Sequence, residues 1–379
     1  MKKKSFIVVF MILCLFLSGC NQKNLVDKEQ TNVVKQTLIN DNGIFSKYYD
    51  KAYDALEKMT LDEKISQILL VRYPEINQKE ILTNYQFGGY IFFARDFKDK
   101  NKEEIINEIK ELQNISKIPL LTAVDEEGGI VTRVSSNQNL RSERFSSPRD
   151  LYRIGGLEKI KEDNIEKNSL LKELGINLNL APVVDIATNE SDYMYSRSLG
   201  ENKEITGKFA KTIIESSKNS GVSNSLKHFP GYGNNVDTHN GISVDTRSYE
   251  DIMNNDIYPF KEGIKAGAES ILVSHNIVSS IDKDNPASLS SGIHKLLRDN
   301  LKFSGVIITD DLDMGAITSI EDSSVKALLA GNDLIITTDY EESINSIKKA
   351  LENEIIKEED LNKAVLRVLS WKYYKGLIQ

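Results

Sequence analysis

The sequence is poor in the residues that build disulfide frameworks and cysteine-rich metal sites. It has two Cys and four His among 379 residues, which excludes a Cys-rich zinc site and a disulfide-stabilised fold. An excess of basic residues is also missing, since 48 Lys and Arg stand against 56 Asp and Glu and the net charge is −8. A nucleic-acid-binding protein needs a basic surface, so we expect no nucleic-acid partner.

Linkers and repeats are missing from most of the chain. Beyond residue 53 there is no Pro-, Gly- or Ser-rich linker, no low-complexity run and no short-period repeat. Hydrophobic residues make up 40% of the sequence and charged residues 27%, a balance that supports a sizeable core. We therefore expect one domain over residues 53–379, and a monomer.

The N-terminus has a different composition. It reads MKKKSFIVVFMILCLFLSGC, with three Lys, an apolar run over residues 6–17 and the ending Leu-Ser-Gly-Cys. This pattern resembles a bacterial lipoprotein signal, with residues 1–19 removed and Cys20 acylated. Residues 20–52 would be a tether, holding the domain at the extracytoplasmic face of the cell membrane. An uncleaved N-terminal anchor helix is the alternative.

Short apolar runs alternate with amphipathic stretches along the predicted domain. Eight runs are candidate strands, at residues 68–72, 89–93, 119–125, 176–182, 222–229, 270–275, 306–310 and 333–338. Helical patterns separate them, at residues 102–115, 157–174, 203–218, 255–267 and 341–351. Eight strands alternating with helices predict an α/β fold, a single TIM-like (β/α)8 barrel. Two open α/β lobes are the alternative.

Polar side chains follow most of these candidate strands. In a barrel the carboxyl ends of all strands meet on one face, and the active site lies there. Polar turns at strand ends would explain two or three of them, but a Lys-His pair and an Asp directly after Val-Ile-Ile-Thr indicate a site. The residues concerned are Arg72, Arg95, Asp96, Asp125, Asp185, Lys227, His228, His275, Asp310 and Thr338.

The stretch at residues 227–246, KHFPGYGNNVDTHNGISVDT, is the densest in chemistry. Asp237 and His239 lie two residues apart, so in an extended loop their side chains share one side. A carboxylate there can fix the tautomer of the imidazole and raise its pKa from about 6.5, giving a general acid near neutral pH. A metal-ligand pair or a surface turn would show the same spacing.

Through the motifs of this loop, the sequence resembles glycoside hydrolase family 3, specifically its β-N-acetylhexosaminidase branch. The branch carries Lys-His-Phe-Pro-Gly-(His/Tyr)-Gly followed by Asp-(Ser/Thr)-His, and both occur here. Further matching segments are MTLDEKISQIL (59–69), VDEEGGIVTR (124–133), LGINLNLAPVVDI (174–186), SRSLG (196–200), GAESILVSH (267–275), PASLS (286–290) and ITDDLDMGAI (308–317). The resemblance implies a TIM-like barrel and retaining hydrolysis of β-linked N-acetylglucosamine.

The same resemblance implies a role for each matching position. Asp310 corresponds to the catalytic nucleophile, and we expect its neighbour Asp311 to point away because adjacent side chains on a strand face opposite ways. His239 corresponds to the acid/base, with Asp237 as its partner. The positions that match substrate contacts are Asp125, Arg133, Arg197, Lys227 and His228. No cofactor and no metal are implied.

Several alternatives remain open at this point. Within the family, a β-glucosidase or a phosphorylase that uses phosphate as acceptor is possible. In other classes, the chain could be a sugar-binding lipoprotein, or a metallohydrolase with His228, His239 and Asp310 as ligands. The segment Tyr193-Met194-Tyr195 departs from the family pattern, and it either lines an aglycone subsite or packs as a loop.

The lipoprotein signal generates a direct prediction. Replacing Cys20 with Ser should abolish labelling by radioactive fatty acid and release the protein from the membrane fraction, because both depend on the acylated thiol. Cys14→Ser is the matched control, since that residue lies in the segment to be removed, and it should leave labelling intact. Persistent labelling of the Cys20→Ser protein would refute the signal.

Overall fold

The structure is a computed structural model that describes residues 38–39, 41–233, 235, 237–238 and 241–379. Cys20, the predicted signal peptide and most of the predicted tether lie outside the described residues, and so does His239.

Eight short strands form a parallel sheet in the order β10-β1-β2-β3-β4-β5-β7-β9. Two further strands, β6 and β8, pair in a separate ribbon. The strands are β1 (Leu69–Arg72), β2 (Gly89–Phe92), β3 (Leu121–Val124), β4 (Leu178–Asn179), β5 (Ser223–Phe229), β6 (Val244–Asp245), β7 (Ser270–Val273), β8 (Ile277–Val278), β9 (Val306–Thr309) and β10 (Ile335–Thr337).

The sheet curls until its two outer strands meet. A parallel bridge joins Ile308 of β9 to Leu334, the residue before β10. Thr309 N donates to Leu334 O at 3.0 Å, and Leu312 N donates to Ile336 O at 3.0 Å. These contacts bring β9 against β10, so the predicted TIM-like barrel is confirmed, and each of its eight strands overlaps a predicted run.

Helices follow the strands around the barrel. Their bounds are Tyr49–Leu56, Leu61–Gln67, Gln78–Tyr85, Ala94–Phe97, Lys102–Ile115, Pro148–Glu173, Lys203–Ser217, Tyr249–Asp251, Ile257–Ala266, Ser291–Lys295, Ser323–Ala330, Tyr340–Glu352 and Glu358–Tyr374, with π-helical turns at Ile252–Asp256 and Leu296–Asn300. Caps explain several starts: the side chain of Asn101 accepts from Glu104 N, and the Glu104 carboxylate accepts from Asn101 N. The predicted helix at 157–174 is the second part of Pro148–Glu173, which kinks at Gly155 and Gly156.

Apolar side chains pack on both sides of the barrel wall. Inside, side chains such as Leu70, Ala123 and Ile308 form one buried cluster. Outside, a second cluster lies between strands and helices and includes Phe209 and Phe260. In β9, for example, Val306 and Ile308 belong to the inner cluster and Ile307 to the outer one, as the period-2 geometry of a strand requires.

The folded unit begins earlier than the sequence predicts. Chain contacts define a compact unit over Gly43–Gln379, whereas the predicted domain starts at residue 53. Phe45 is fully buried in the inner cluster with Trp371, and the helix Tyr49–Leu56 follows it. Residues 43–52 therefore belong to the folded unit.

The ribbon of β6 and β8 anchors the long segment that follows β5. Val244 pairs with Ile277 and Asp245 with Val278, so the end of that segment is held beside the segment that follows β7. Arg247 reinforces this anchor, because its guanidinium donates to Asp245 Oδ2 at 2.6 Å and to Asp256 Oδ2 at 2.8 Å. Among the described residues, no helix has both the length and the apolar character that crossing a membrane would require.

Candidate active site

The carboxyl ends of the barrel strands surround a cavity of about 480 Å³, a size typical of small-molecule sites. Apolar side chains from the barrel interior, among them Ile91, Leu180 and Leu272, also line it. The structure brings six of the predicted site residues together around this cavity: Asp125, Arg133, Arg197, Lys227, His228 and Asp310.

The ammonium group of Lys227 lies between two carboxylates. Its Nζ is 2.7 Å from Asp125 Oδ1 and 2.7 Å from Glu127 Oε1, and the residue is only 2% exposed. Burial by itself would lower the pKa of Lys227, but the two carboxylates hold that pKa above its ordinary value. The lysine therefore stays charged inside the protein.

Glu127 connects this lysine to Arg197. Its carboxylate accepts from Arg197 Nε at 2.9 Å and from Nη2 at 2.6 Å, a two-pronged contact. Burial opposes ionisation of Glu127, yet Arg197 and Lys227 hold its pKa well below the usual range. The stability that this carboxylate contributes is therefore complete above the unfolded-state pKa of about 4.3, and it is lost as the pH falls towards the folded-state value.

Asp125 is held from a second side by Arg133. Arg133 Nη2 lies 3.6 Å from Asp125 Oδ2, and its guanidinium lies 5.3 Å from the ring centroid of Phe93. The buried carboxylate of Glu126 positions this arginine by accepting from Arg133 N at 2.7 Å. Burial would raise the pKa of Asp125, but Lys227 and Arg133 hold it below its ordinary value. Asp125 is thus an ionised acceptor at the cavity wall.

His228 is oriented by Asp185, which is 2% exposed. Asp185 Oδ2 lies 2.7 Å from His228 Nδ1, and Arg197 Nη2 lies 3.3 Å from His228 Nε2. Because a guanidinium can only donate, Nε2 must accept and the ring proton must sit on Nδ1. Both ring nitrogens are therefore engaged by protein groups, which argues against His228 as a metal ligand.

Asp310 and Asp311 both line the cavity, so the expectation that only one of them could face it is wrong. β9 ends at Thr309, and the alternation of a strand does not extend to the two acids. Asp311 is occupied, because its Oδ2 accepts from Arg72 Nε at 2.7 Å. Asp310 Oδ1 accepts from Asp311 N at 2.9 Å, while Oδ2 has no hydrogen-bond partner among the described residues. Asp310 is the carboxylate that remains available to a ligand.

Asp237 is near the cavity as well. Tyr193 lines the cavity, and Asp237 and Arg197 are among its charged neighbours. Burial is the main cause that raises the pKa of Tyr193 to about 12. The neighbouring Met194 is buried and Tyr195 lies against the Arg149 guanidinium, so this loop is packed and only its first tyrosine reaches the cavity.

Sequence reasoning did not single out Glu127, and it noticed Asp185 and Arg72 only as polar strand ends. A signal for Glu127 was present in the charge count of the predicted site. Three predicted contacts are cationic and only one, Asp125, is an acid outside the catalytic group. Buried cations require carboxylate partners, so a further acid was needed nearby.

The charges of the site are largely balanced within it. Lys227, Arg197 and Arg133 face Asp125 and Glu127, and Arg72 faces Asp311. A site of this kind suits a neutral ligand that offers several hydroxyl groups, because each ionised group can form a charge-assisted hydrogen bond.

Comparison with known proteins now assigns the family. The model of the "Glycosyl hydrolase family 3 N terminal domain" matches residues 60–371. The chain belongs to glycosyl hydrolase family 3. It is therefore a glycoside hydrolase, and both the predicted family and the predicted enzyme class are confirmed.

Individual relatives agree with this assignment. A β-hexosaminidase of Hydrogenovibrio crunogenus is 30% identical over 275 residues, covering 69% of this chain and 74% of that protein. The structure of a family 3 β-N-acetylglucosaminidase from Paenibacillus sp. superposes with a TM-score of 0.79 at 29% identity, covering 84% of this chain and 63% of that one. A β-glucoside phosphorylase, at 23% identity and a TM-score of 0.78 over 88% of this chain and 62% of that one, shares the fold.

The orientation of His228 generates a prediction for Asp185→Asn. The amide NH2 would face either His228 Nδ1, forcing the ring proton to Nε2 against Arg197, or the Tyr232 backbone N–H, which would lose its acceptor. We expect activity to fall and the free energy of unfolding to fall by about 1–3 kcal/mol, as for an unsatisfied buried polar group. Urea titrations and ¹⁵N shifts of the His228 ring measure both effects.

Asp192→Asn is the matched control, since that half-buried aspartate accepts from Asn189 N in the next loop and, among the described residues, forms no hydrogen bond with His228 or Tyr232. It should change neither quantity appreciably. A wild-type stability and an unchanged His228 tautomer in Asp185→Asn would contradict the assignment.

Proposed function

We propose that the protein is a retaining β-N-acetylhexosaminidase that removes terminal β-linked N-acetylglucosamine from peptidoglycan or muropeptide fragments. The observation that carries the proposal is the available carboxylate of Asp310, which faces the same cavity as the balanced network of Lys227, Glu127 and Arg197. The names of the hexosaminidase relatives support the sugar class.

In the proposed first step, Asp310 attacks the anomeric carbon and the bond to the leaving oxygen breaks. Its position directly after β9 suits this task, because a rigid strand end can aim a carboxylate. The leaving oxygen takes a proton from His239, whose imidazolium is held by Asp237. In the second step His239 removes a proton from water, and the resulting hydroxide releases the sugar from Asp310.

An imidazole in the acid/base role departs from the usual arrangement of retaining glycosidases, in which two carboxyl groups lie about 5–5.5 Å apart. Here Asp311, the carboxyl group beside the nucleophile, is bound to Arg72. It is therefore poorly placed to exchange protons with the substrate. The Asp237-x-His239 pair supplies the second group in its place.

Sugar recognition in the proposal uses the ionised wall of the cavity. Asp125 would accept from sugar hydroxyls, while Arg133, Lys227 and Arg197 would donate to hydroxyl or acetamido oxygens. Because each of the three cations is already paired with Asp125 or Glu127, a neutral sugar does not have to supply a countercharge. An anionic sugar at the same place would gain less binding free energy.

The wall substrate and the location are proposals that rest on the N-terminal sequence. An acylated Cys20 would place the barrel outside the cytoplasmic membrane, where peptidoglycan fragments are released. The residues that carry this part of the proposal lie outside the described structure.

Phosphorolysis is the second candidate, since a β-glucoside phosphorylase shares the fold. In that reaction phosphate replaces water as the attacking group and the product is a sugar phosphate. Turnover measured with and without inorganic phosphate separates the two. We expect free N-acetylglucosamine in both cases, and a phosphate-dependent sugar phosphate would favour the second candidate.

A substrate panel tests the sugar class. The purified chain from residue 21 should hydrolyse aryl β-glycosides of N-acetylglucosamine faster than those of N-acetylgalactosamine and glucose. Dominant activity on the glucoside would place the enzyme in the β-glucosidase branch. Binding of the sugars without any turnover would favour the sugar-binding lipoprotein.

Leaving-group dependence separates the proposed roles of Asp310 and His239. Asp310→Asn should lose activity on every substrate, because the covalent step is lost. His239→Ala should lose about 10²–10⁴-fold on a natural disaccharide but keep much of its first step on a dinitrophenyl glycoside, whose leaving group needs no proton. Pre-steady-state release of dinitrophenolate measures that step.

Asp313→Asn is the matched control, because this exposed aspartate lies close to Asp310 in the same loop. It should keep wild-type rates on both substrates. Equal losses on natural and activated substrates in His239→Ala would contradict the general-acid role.

A further inference from the structure

Two tyrosines at the cavity have no role in the proposed chemistry. Tyr232 and Tyr193 both line the cavity, and their ring centroids are 5.6 Å apart with the planes tilted by 41°. Tyr232 is buried with Val183 and Met194 in a small apolar cluster, and Tyr193 packs against that cluster. The two rings therefore form one rigid unit beside the segment that follows β5.

Tyr232 is held at its backbone and holds Thr238 with its hydroxyl. Tyr232 N donates to Asp185 Oδ1 at 2.7 Å. Its hydroxyl accepts from Thr238 N at 2.9 Å and lies 2.7 Å from Thr238 Oγ1. Since the hydroxyl accepts from the amide, its own proton is free to go to Thr238 Oγ1. Tyr232 is only 1% exposed and Thr238 is fully buried, so water does not compete for these bonds.

Thr238 is also bound from the opposite side. Its carbonyl oxygen accepts from Ala316 N at 3.1 Å, in the segment that follows Asp310. Thr238 thus connects the segment after β5 with the segment after β9. Three hydrogen bonds on one residue leave its backbone little freedom.

Packing also fixes the ring of Tyr232. Tyr193 packs against the apolar cluster that Tyr232 forms with Val183 and Met194. The position of Tyr232 is therefore set by side-chain packing as well as by the hydrogen bond from its backbone to Asp185.

We propose that Tyr232 is a positioning residue that holds Thr238 beside the cavity, and so sets the place from which His239, the next residue, acts. Successive Cα atoms are about 3.8 Å apart, so a fixed Thr238 restricts where the following side chain can reach. The link to catalysis rests on the proposed acid/base role of His239. The hydrogen bonds between Tyr232 and Thr238 do not.

Tyr232 acts through the backbone position of Thr238. Loss of its hydroxyl should therefore lower the rate of proton transfer and leave substrate binding nearly unchanged.

Two phenylalanine variants test the proposal, each with the ring kept. In Tyr232→Phe, hydrogen exchange at the Thr238 amide should be about three- to tenfold faster, as expected for one lost hydrogen bond. Its kcat on a natural disaccharide should fall by about 10- to 100-fold, as for a small misplacement of a catalytic group. KM and the dinitrophenolate burst should change by less than about threefold, because neither needs the general acid.

Tyr195→Phe is the matched control, since it removes a tyrosine hydroxyl that has no hydrogen-bond partner among the described residues. It should match the wild type in exchange and in kinetics. Thermal unfolding of both variants checks that the fold is intact.

The outcomes separate this proposal from the proposed function. Unchanged exchange at Thr238 in Tyr232→Phe would overturn the positioning role, whatever the enzyme hydrolyses. Faster exchange with an unchanged kcat would overturn its link to catalysis. Faster exchange in a protein that cleaves no N-acetylglucosaminide would leave the contact standing and refute the proposed function instead.

Discussion

The buried ammonium of Lys227 is the interaction on which the arrangement of the site depends. A charge at 2% exposure is stable only when carboxylates compensate it, and here Asp125 and Glu127 do so at 2.7 Å each. The lysine belongs to β5, while the two acids follow β3. Removing one partner of such a buried pair typically costs about 3–5 kcal/mol. The pair therefore holds the strand ends in a fixed relation before any ligand arrives.

Further hydrogen bonds connect this pair to the rest of the site. Glu127 fixes Arg197, and Arg197 determines the tautomer of His228 together with Asp185. Asp185 also accepts from the backbone of Tyr232. A chain of hydrogen bonds thus connects the sugar-facing wall with the segment that carries Asp237. In a preorganised site of this kind, little reorganisation is needed during the reaction.

The barrel could be predicted from the sequence because mostly apolar strand segments alternate with amphipathic helices. The start of the folded unit could not be predicted, because the burial of Phe45 depends on the packing of a distant helix that contains Trp371. In the site, residues directly after strands were predictable. Glu126 and Glu127 were not, because adjacent acids have the same local pattern; one caps backbone amides and the other binds cations. Asp310 and Asp311 both line the cavity because β9 ends at Thr309, and the sequence does not show where that strand ends.

The central claim is that a covalent glycosyl intermediate forms on Asp310, while Asp311 serves only as the partner of Arg72. The most direct measurement is peptide mass spectrometry on the His239→Ala protein after reaction with a dinitrophenyl N-acetylglucosaminide. Without a base for deglycosylation, the sugar should remain as a mass increase of one N-acetylglucosamine residue, and fragmentation should place it on Asp310. A sugar found on Asp311, or a protein that turns over this substrate without any trapped sugar, would contradict the account.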